Sequence, residues 1–286
     1  MFDCIVIGAG PAGITAAIYL LRSNFSVCII DSGDTALKKA HKIENYYGIS
    51  SVSGEELYLI GRRQALQLGA EIIDGQALSV DNFGSFNVTT TEGELSSTCV
   101  IIATGSTVKG IKLSGEEKFI GSGVSRCAVC DGFFFRGKPV CVVGAGQYAL
   151  HEAEVLSNIC SSVMLLTNGE QPPENCPYPV LTSEISEITG DDRVSGVKLK
   201  NGEILDVKGV FIANGKPTAS DFILRMGIEC SDGVFAVNED MSTAINGVFA
   251  AGDCVKQPKQ ISTAAYTGMI AGLSAIKYIK EIKKNG

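Results

Sequence analysis

The chain has 286 residues, with 24 Lys and Arg against 31 Asp and Glu and a net charge of −7. At roughly 100 to 200 residues per domain, this length predicts one large domain or two of ordinary size. The acidic balance argues against nucleic acid as the main partner, because phosphate binding needs a basic face. Only two His are present, so histidine-rich metal centres lose their main ligand and no metal site is expected.

The ten cysteines do not have the regular spacing of a secreted disulfide framework, and no signal peptide precedes them. A reducing compartment, the cytoplasm, is therefore predicted. The uncharged stretch 4–21 is about as long as the shortest membrane spans. Because it contains Gly8, Gly10, Pro11 and Gly13, we interpret it as a buried strand, a glycine turn and a helix rather than a membrane or targeting segment.

The first motif is a strand, a glycine-rich turn, a helix and a second strand that ends at an acid. An apolar run at 2–7 leads into Gly8-Ala9-Gly10-Pro11-Ala12-Gly13, and a second apolar run at 25–30 ends at Asp31. In such a unit the glycines make the tight turn and let the backbone reach a pyrophosphate, while the acid receives ribose hydroxyls. The pattern predicts dinucleotide binding; the alternative is a tight turn without a ligand.

The same pattern returns later in the chain. Residues 139–143 lead into Gly144-Ala145-Gly146, followed by a helix expected to reach Ile159 and a strand at 163–166. Strands ending in small residues at 99–105 and 210–215, another at 247–253, and a helix over 261–284 complete the outline. These elements predict an α/β fold of two nucleotide-binding Rossmann-like domains, each with three ββα layers. We expect the second domain, 110–213, to be inserted into the first, which comprises 1–109 and 214–286.

Cys127 and Cys130 form the only Cys-x-x-Cys of the chain. A single pair supplies two of the four ligands that a structural zinc needs. In a reducing compartment, a catalytic dithiol is the better interpretation, with metal binding or incidental spacing as alternatives. Asp131 follows directly and is a candidate to carry the proton that a leaving thiolate requires. Most of the other cysteines are expected to be small core residues.

With these motifs the sequence resembles the low-molecular-weight thioredoxin reductases over nearly its whole length. The resemblance implies FAD as cofactor, thioredoxin as substrate and a homodimer. It also implies that Cys130 lies next to the flavin and that Cys127 attacks the thioredoxin disulfide. The residues implied to bind FAD lie in the first domain; they are Gly8, Gly10, Pro11, Ala12, Gly13, Asp31, Ser32, His41, Asn45, Ala77, Ala103, Thr104, Gly105, Gly252, Asp253, Lys259, Gln260 and Ile261.

The second glycine motif departs from this family. The position equivalent to Asp31 is Thr167, and Asn168, Gly169 and Glu170 stand where the family has its basic NADPH signature. Neither a carboxylate for NADH nor arginines for the NADPH phosphate are present there. Tyr148 is expected to crowd the pyrophosphate cradle, and four prolines within 171–180 predict that no regular helix forms.

This departure resembles the ferredoxin-dependent flavin thioredoxin reductases, which lack the NADPH motifs. The resemblance implies reduced ferredoxin as the electron donor. Because ferredoxins are acidic, docking would need a local basic patch. The candidates are the basic residues of two surface segments and of the final helix: Lys38, Lys39, Lys42, Arg62, Arg63, Lys277, Lys280, Lys283 and Lys284.

Three alternatives stay open. The first is a thioredoxin reductase with an atypical NADPH site, the second is a flavin redox sensor whose dithiol does not turn over, and the third is a ferredoxin-NADP reductase of related fold. The last is disfavoured because its reaction uses no dithiol. In the preferred interpretation the dithiol meets the flavin and then a protein substrate, so hinge rotation is expected at 106–113 and 213–217.

Overall fold

The computed structural model of the chain describes residues 1–82, 84–106, 112–228, 230, 231 and 234–285. The chain divides into two compact units, a first unit of residues 1–107 and 218–286 and a second unit of residues 108–217. Of the expected hinge at 106–113, residues 107–111 lie outside the described residues.

The first unit begins with the alternating strands and helices that its sequence pattern predicts. The α1 helix begins at Pro11, whose fixed φ suits the first helical position. The α2 helix begins after Ser53, whose hydroxyl accepts the backbone N–H of Glu56 at 3.1 Å. The elements in order are β1 (Phe2–Ile7), α1 (Pro11–Arg22), β2 (Val27–Asp31), α2 (Gly54–Gln67), β3 (Glu71–Asp74), β4 (Ala77–Asn82), β5 (Phe86–Thr90) and β6 (Gly93–Ile102).

The second unit repeats this plan around a shorter sheet. Its elements are α3 (Glu116–Phe119), β7 (Val124–Ser125), α4 (Ala128–Asp131), β8 (Pro139–Val143), α5 (Gln147–Ser157), β9 (Ser162–Leu166), β10 (Val180–Leu181), β11 (Ile185–Gly190), β12 (Val194–Leu199), β13 (Ile204–Leu205) and β14 (Gly209–Ile212). The α5 helix ends before the expected Ile159, and at its end the Asn158 side chain donates to the carbonyl of Glu154 at 3.1 Å. Residues 171–179 form no helix, as the prolines predict.

The chain then returns to the first unit. The returning elements are α6 (Ala219–Met226), β15 (Cys230–Ser231), β16 (Val234–Phe235), β17 (Val248–Ala250) and α7 (Ile261–Asn285). A reciprocal pair of hydrogen bonds between Thr218 and Asp221 begins α6, and Gly227 ends it in the left-handed conformation. Strand β17 pairs in parallel with β6 and so joins the sheet of the N-terminal segment.

Each unit is built in three layers. In the first, the strand order is β3-β2-β1-β6-β5-β4, and successive residues of β1 alternate between two cores. Cys4 and Val6 face α1 and α7, whereas Ile5 and Ile7 face β4, β5 and α6. In the second, a parallel sheet of order β10-β9-β8-β14-β7 lies between α5 and the antiparallel β11-β12-β13 sheet. The predicted α/β fold of two Rossmann-like domains is confirmed.

Candidate functional site

The first glycine turn, between β1 and α1, is held against the end of β6. Gly8 has φ +110°, and a Cβ there would lie 2.4 Å from the carbonyl oxygen of Ala103. A Cβ on Gly13 would lie 1.9 Å from the carbonyl oxygen of Gly8. Both positions therefore require glycine. Gly10 precedes α1, and no side chain of the described residues caps this helix, which leaves its first N–H groups for an anion.

Asp31 ends β2 and is almost completely buried, with both of its oxygens bonded to protein groups. Its Oδ1 accepts the Gly33 N–H at 2.9 Å, and its Oδ2 accepts the Tyr58 hydroxyl at 2.5 Å and an Arg62 N–H. Arg62 also binds Asp74 through two hydrogen bonds of 2.6 and 3.2 Å. Burial and the bond to Asp31 raise the pKa of Tyr58. A ribose hydroxyl would use the remaining lone pair of Oδ1.

The other residues predicted to bind FAD lie in loops and element ends of the first unit, and hydrogen bonds link some of them. The Asn45 side chain donates to Gln260 at 3.2 Å. The Thr104 hydroxyl is buried and has no hydrogen-bond partner within the described part of the chain. Gly252 donates its N–H to Thr267 at 3.0 Å. The remaining positions are Ser32 beyond β2, exposed His41 and Lys259, Ala77 at the start of β4, Gly105 beyond β6, Asp253 in a 3-10 turn and Ile261 at the start of α7.

The Cys127–Cys130 pair lies in the second unit and forms a disulfide, with the two Cα atoms 5.3 Å apart. Cys127 caps the short α4 helix, and its sulfur accepts the backbone N–H of Cys130 at 3.1 Å. The two cysteines differ in accessibility, because Cys127 is 2% exposed whereas Cys130 is at the surface. Val129 and Phe133 beside them are 57% and 64% exposed, so the disulfide is bordered by apolar surface.

Three buried side chains hold the backbone around Cys127, a role that no motif of the sequence predicts for them. The Ser125 hydroxyl accepts the Cys127 N–H at 3.1 Å, and the Glu152 carboxylate accepts the Ala128 N–H at 2.7 Å. The Tyr148 hydroxyl lies 3.4 Å from the carbonyl oxygen of Arg126. Tyr148 and Glu152 are four residues apart and therefore share a face of α5. This spacing was the only available signal, because the contacts of Glu152 join residues 24 positions apart.

Asp131, the candidate proton carrier, is the last residue of α4. Its backbone N–H donates to the Cys127 carbonyl at 3.1 Å, and its Oδ2 accepts the Ser125 hydroxyl at 2.6 Å. The three predicted catalytic residues thus lie together in one turn, connected through Ser125. A carboxylate thus lies in the same turn as the disulfide, and its role as proton carrier stays a prediction.

The second glycine turn keeps its backbone geometry but offers no recognition group at the end of β9. Gly144 has φ +157°, and a Cβ there would lie 2.2 Å from the carbonyl oxygen of Ala213. Thr167 is 1% exposed and donates to the Glu170 carbonyl at 2.6 Å. The Asn168 side chain accepts the Ile185 N–H at 2.7 Å. Thr167 thus stabilises the loop after β9, and Asn168 ties this loop to the start of β11. Tyr148 is buried with its hydroxyl directed to Arg126, and the crowding predicted for it stays a prediction.

Most cysteines outside the motif whose side chains the structure describes are buried. Cys4, Cys28, Cys99, Cys141 and Cys254 are buried, whereas Cys160 and Cys176 are half-buried rather than core residues. Burial raises the pKa of the Cys28, Cys141 and Cys254 thiols to about 12, which keeps them protonated at neutral pH. Across the described residues, no group of three or more His, Cys, Asp and Glu side chains is placed to hold a metal ion.

Two Rossmann-like units, one of them carrying a Cys-x-x-Cys disulfide, define the class of two-domain disulfide oxidoreductases. The profile of the pyridine nucleotide-disulphide oxidoreductase family matches residues 2–179 and 179–268. A thioredoxin reductase of Aquifex aeolicus (strain VF5) is 38% identical over 307 residues, which span 99% of this chain and 95% of that protein.

Solved structures agree with the sequence comparison. The atypical thioredoxin reductase TRi from Desulfovibrio vulgaris Hildenborough has a TM-score of 0.94 and 33% identity, with 98% of this chain and 99% of that chain covered. A ferredoxin-flavin thioredoxin reductase from Clostridium acetobutylicum has a TM-score of 0.76 and 30% identity, with 98% of both chains covered. The chain belongs to the pyridine nucleotide-disulphide oxidoreductase family and, within it, to the FAD-dependent thioredoxin reductases.

The first unit fits FAD. The uncapped N-terminus of α1 suits a pyrophosphate, and the glycine turn lets backbone approach it closely. The buried Thr104 hydroxyl, which has no partner among the described residues, provides a hydrogen-bonding group beside the same turn. Among the described helices, none combines the length and apolar character that crossing a bilayer would require.

Proposed function

We propose that the chain reduces thioredoxin through the Cys127–Cys130 dithiol, with electrons reaching FAD from reduced ferredoxin rather than from NADPH. The observation that carries the choice of donor is the end of β9, where Thr167 is bonded to Glu170 and Asn168 to the first residue of β11. A nucleotide site needs a carboxylate for the ribose or arginines for its phosphate at this point, and neither is present. The similarity to a ferredoxin-flavin thioredoxin reductase supports the same donor.

The proposed exchange step uses residues of the second unit. The Cys127 thiolate attacks a sulfur of the thioredoxin disulfide, so that one S–S bond forms as the other breaks. The released thioredoxin sulfur takes the electron pair and a proton. Cys130 then gives its proton to Asp131 and attacks the Cys127 sulfur. The second step releases thioredoxin as a dithiol and re-forms the Cys127–Cys130 disulfide.

The reduction potentials favour electron flow from ferredoxin to thioredoxin. Bound FAD supplies a centre that accepts electrons singly and passes them on as a pair. A ferredoxin near −400 mV and a thioredoxin near −270 mV differ by about 130 mV, or roughly 6 kcal/mol for two electrons. We further propose that the FAD-binding positions inferred from the sequence act as such in the first unit, with Gly8, Gly13 and Thr104 at the pyrophosphate side.

Cys127 must become accessible for the proposed exchange, since it is 2% exposed in this structure. We propose a rotation at 106–113 and 213–217, because the dithiol has to meet the flavin and then a protein substrate. Small-angle scattering of the oxidised and reduced protein tests it: a change in the scattering profile on reduction is expected, and identical profiles would contradict the rotation.

The basic residues proposed to meet ferredoxin fall into two groups. Several are already paired with carboxylates: Lys38 with Glu55, Lys42 with Glu44, Arg62 with Asp31 and Asp74, and Lys283 with Asp3. Within the described chain, Lys39, Arg63, Lys277, Lys280 and Lys284 are exposed and form no ion pair. The proposed docking of an acidic partner therefore rests on this second group.

The homodimer is also a proposal, supported by the α2 surface. Leu59, Ile60 and Leu66 are 46%, 42% and 50% exposed on this helix, which places apolar side chains in water. A second copy of the chain would bury them. Light scattering during gel filtration tests this, and a mass of one chain at micromolar concentration would contradict it.

We propose the cytoplasm as the compartment, in keeping with the dithiol chemistry.

Anaerobic titration of the flavin tests the electron donor. We expect reduced ferredoxin to bleach the absorbance near 450 nm and to support thioredoxin reduction, whereas NADPH at equal concentration leaves the flavin oxidised. Cys127→Ser is the matched control, because it retains flavin bleaching and loses thioredoxin reduction. Bleaching by NADPH alone at micromolar concentration would overturn the proposal for the donor.

A second candidate, an NADPH-dependent reductase with an atypical site, is favoured by one observation. The Gly144 turn is intact, and no side chain among the described residues caps α5 after Gly146. A pyrophosphate could still bind at that N-terminus. The same titration decides between the donors. Absence of thioredoxin reduction with either donor would point instead to a redox sensor.

A further inference from the structure

Ser125 occupies the point where the proton carrier and the redox cysteine meet. It ends β7, is 7% exposed, and its Oγ lies 2.6 Å from Asp131 Oδ2 and 3.1 Å from the Cys127 backbone nitrogen. A hydroxyl has one proton and two lone pairs, so it can donate to the carboxylate and accept the N–H together. The Cys127 carbonyl, at 3.3 Å, is the longer alternative for the same proton.

Asp131 and Ser125 also line a cavity of about 670 Å³ within the second unit. Its wall includes Lys138, Arg193 and Lys208. A cavity of this size with charged side chains in its wall admits water, which can exchange protons with a carboxylate at its edge. Ser125 therefore anchors the Asp131 carboxylate at the edge of the cavity that both residues line.

We propose that Ser125 is a positioning residue, which holds Asp131 for proton transfer to and from the dithiol. When an external thiolate attacks the Cys127–Cys130 disulfide, the S–S bond breaks and the leaving sulfur takes its electron pair. Protonated Asp131 gives that sulfur its proton and regains one from water in the cavity. In the reverse direction the carboxylate accepts the thiol proton. The inference deepens the proposed function, since it concerns the same dithiol.

We expect the hydroxyl to act on the exchange rate chiefly through Asp131, to which its shorter hydrogen bond runs. Without Ser125 the carboxylate loses its short hydrogen bond and can turn towards the cavity, so the productive orientation becomes less populated. The loss of one hydrogen bond to a charged group corresponds to a factor of about ten. If Ser125 had a purely structural role, its loss would instead slow exchange by the same factor in the wild type and in the Asp131→Asn variant.

The test is a double-mutant cycle on the flavin-loaded, full-length protein. Dithiothreitol reduces the disulfide, and thiol labelling after acid quench gives the rate between pH 6 and 9. We expect Ser125→Ala to lower the rate about tenfold and Asp131→Asn to lower it at least as much. The double variant should be no slower than Asp131→Asn alone. The matched control is Ser122→Ala, because Ser122 lines the same cavity without bonding Asp131 and should leave the rate unchanged.

Two further variants keep the test decisive if Ser125→Ala folds poorly. Ser125→Thr and Ser125→Val differ by a single hydroxyl, and only Thr should restore the rate to within about twofold. An unchanged rate in Ser125→Val, or a Ser125→Ala loss that persists in the Asp131→Asn background, would overturn the inference. Because the assay uses neither ferredoxin nor thioredoxin, its failure is distinguishable from failure of the proposed function.

Discussion

At the scale of single residues, close backbone contacts leave no room for a side chain at two glycines of the first turn. Gly13 faces the carbonyl of Gly8, and Gly8 faces that of Ala103. Their spacing is visible in the sequence because the geometry demands glycine at fixed intervals. Asp31 was equally visible at the end of its strand. Its bonds with Tyr58 and Arg62 were not, because those residues come from a helix whose placement depends on tertiary packing.

Gly13→Ala should displace the turn. The new Cβ would lie 1.9 Å from the Gly8 carbonyl oxygen, so the backbone has to move. We expect a loss of about 1–3 kcal/mol in the free energy of unfolding and a lower ratio of flavin to protein absorbance. Urea unfolding and the absorbance near 450 nm measure these two quantities. Gly61→Ala is the control, since its Cβ meets Ile14 at an ordinary 3.4 Å on a helix where Ala is favoured. Equal effects of both variants would contradict the prediction.

At the scale of elements, the long strands and helices were predictable because each shows a sustained apolar pattern. The catalytic turn was not predictable in the same way. Strand β7 has two residues and α4 has four, too few for any periodicity to appear. The hydrogen bond from Ala128 to Glu152 joins α4 to α5 and has no local signature. The sequence therefore located the dithiol, while only the structure showed which side chains hold it.

The 3-10 turn after α4, Gly132–Phe135, exposes an aromatic ring close to the dithiol. Phe133 is 64% exposed and has the Arg136 guanidinium 5.0 Å from its ring centre. Aromatic and arginine side chains are typical of energetically important protein contacts. We expect Phe133→Ala to raise KM for thioredoxin about tenfold, while the rate with dithiothreitol stays constant.

The control for Phe133 is Ile204→Ala. Ile204 is also 64% exposed but lies on β13, in the antiparallel sheet of the second unit and not in the dithiol turn. Steady-state kinetics with varied thioredoxin measure KM and kcat for both variants. A similar rise in KM for Ile204→Ala, or none for Phe133→Ala, would show that the ring does not contact the substrate.

At the scale of the whole molecule, the acidic chain depends on ionised carboxylates for stability. Burial opposes ionisation of Asp3, but hydrogen bonds from Lys283 and Ser26 outweigh it and lower its pKa. A hydrogen bond from Arg62 lowers the pKa of Asp74, and the Ser242 hydroxyl lowers that of Asp240. All three belong to the first unit, and each joins segments or stabilises a turn of it.

These shifts predict a loss of stability in acid. A carboxyl whose folded pKa lies below its unfolded value stabilises the protein above about pH 4, and this contribution disappears as the pH falls through the folded pKa. We therefore expect the melting temperature to fall steeply below about pH 4. Asp3→Asn should melt lower at pH 7 and show a shallower decline in acid, because part of the titrating contribution is already lost. Calorimetry from pH 7 to pH 3 measures both, with Glu94→Gln at an exposed position as the control. An Asp3→Asn curve parallel to that of the wild type would mean that Lys283 and Ser26 do not favour the ionised form.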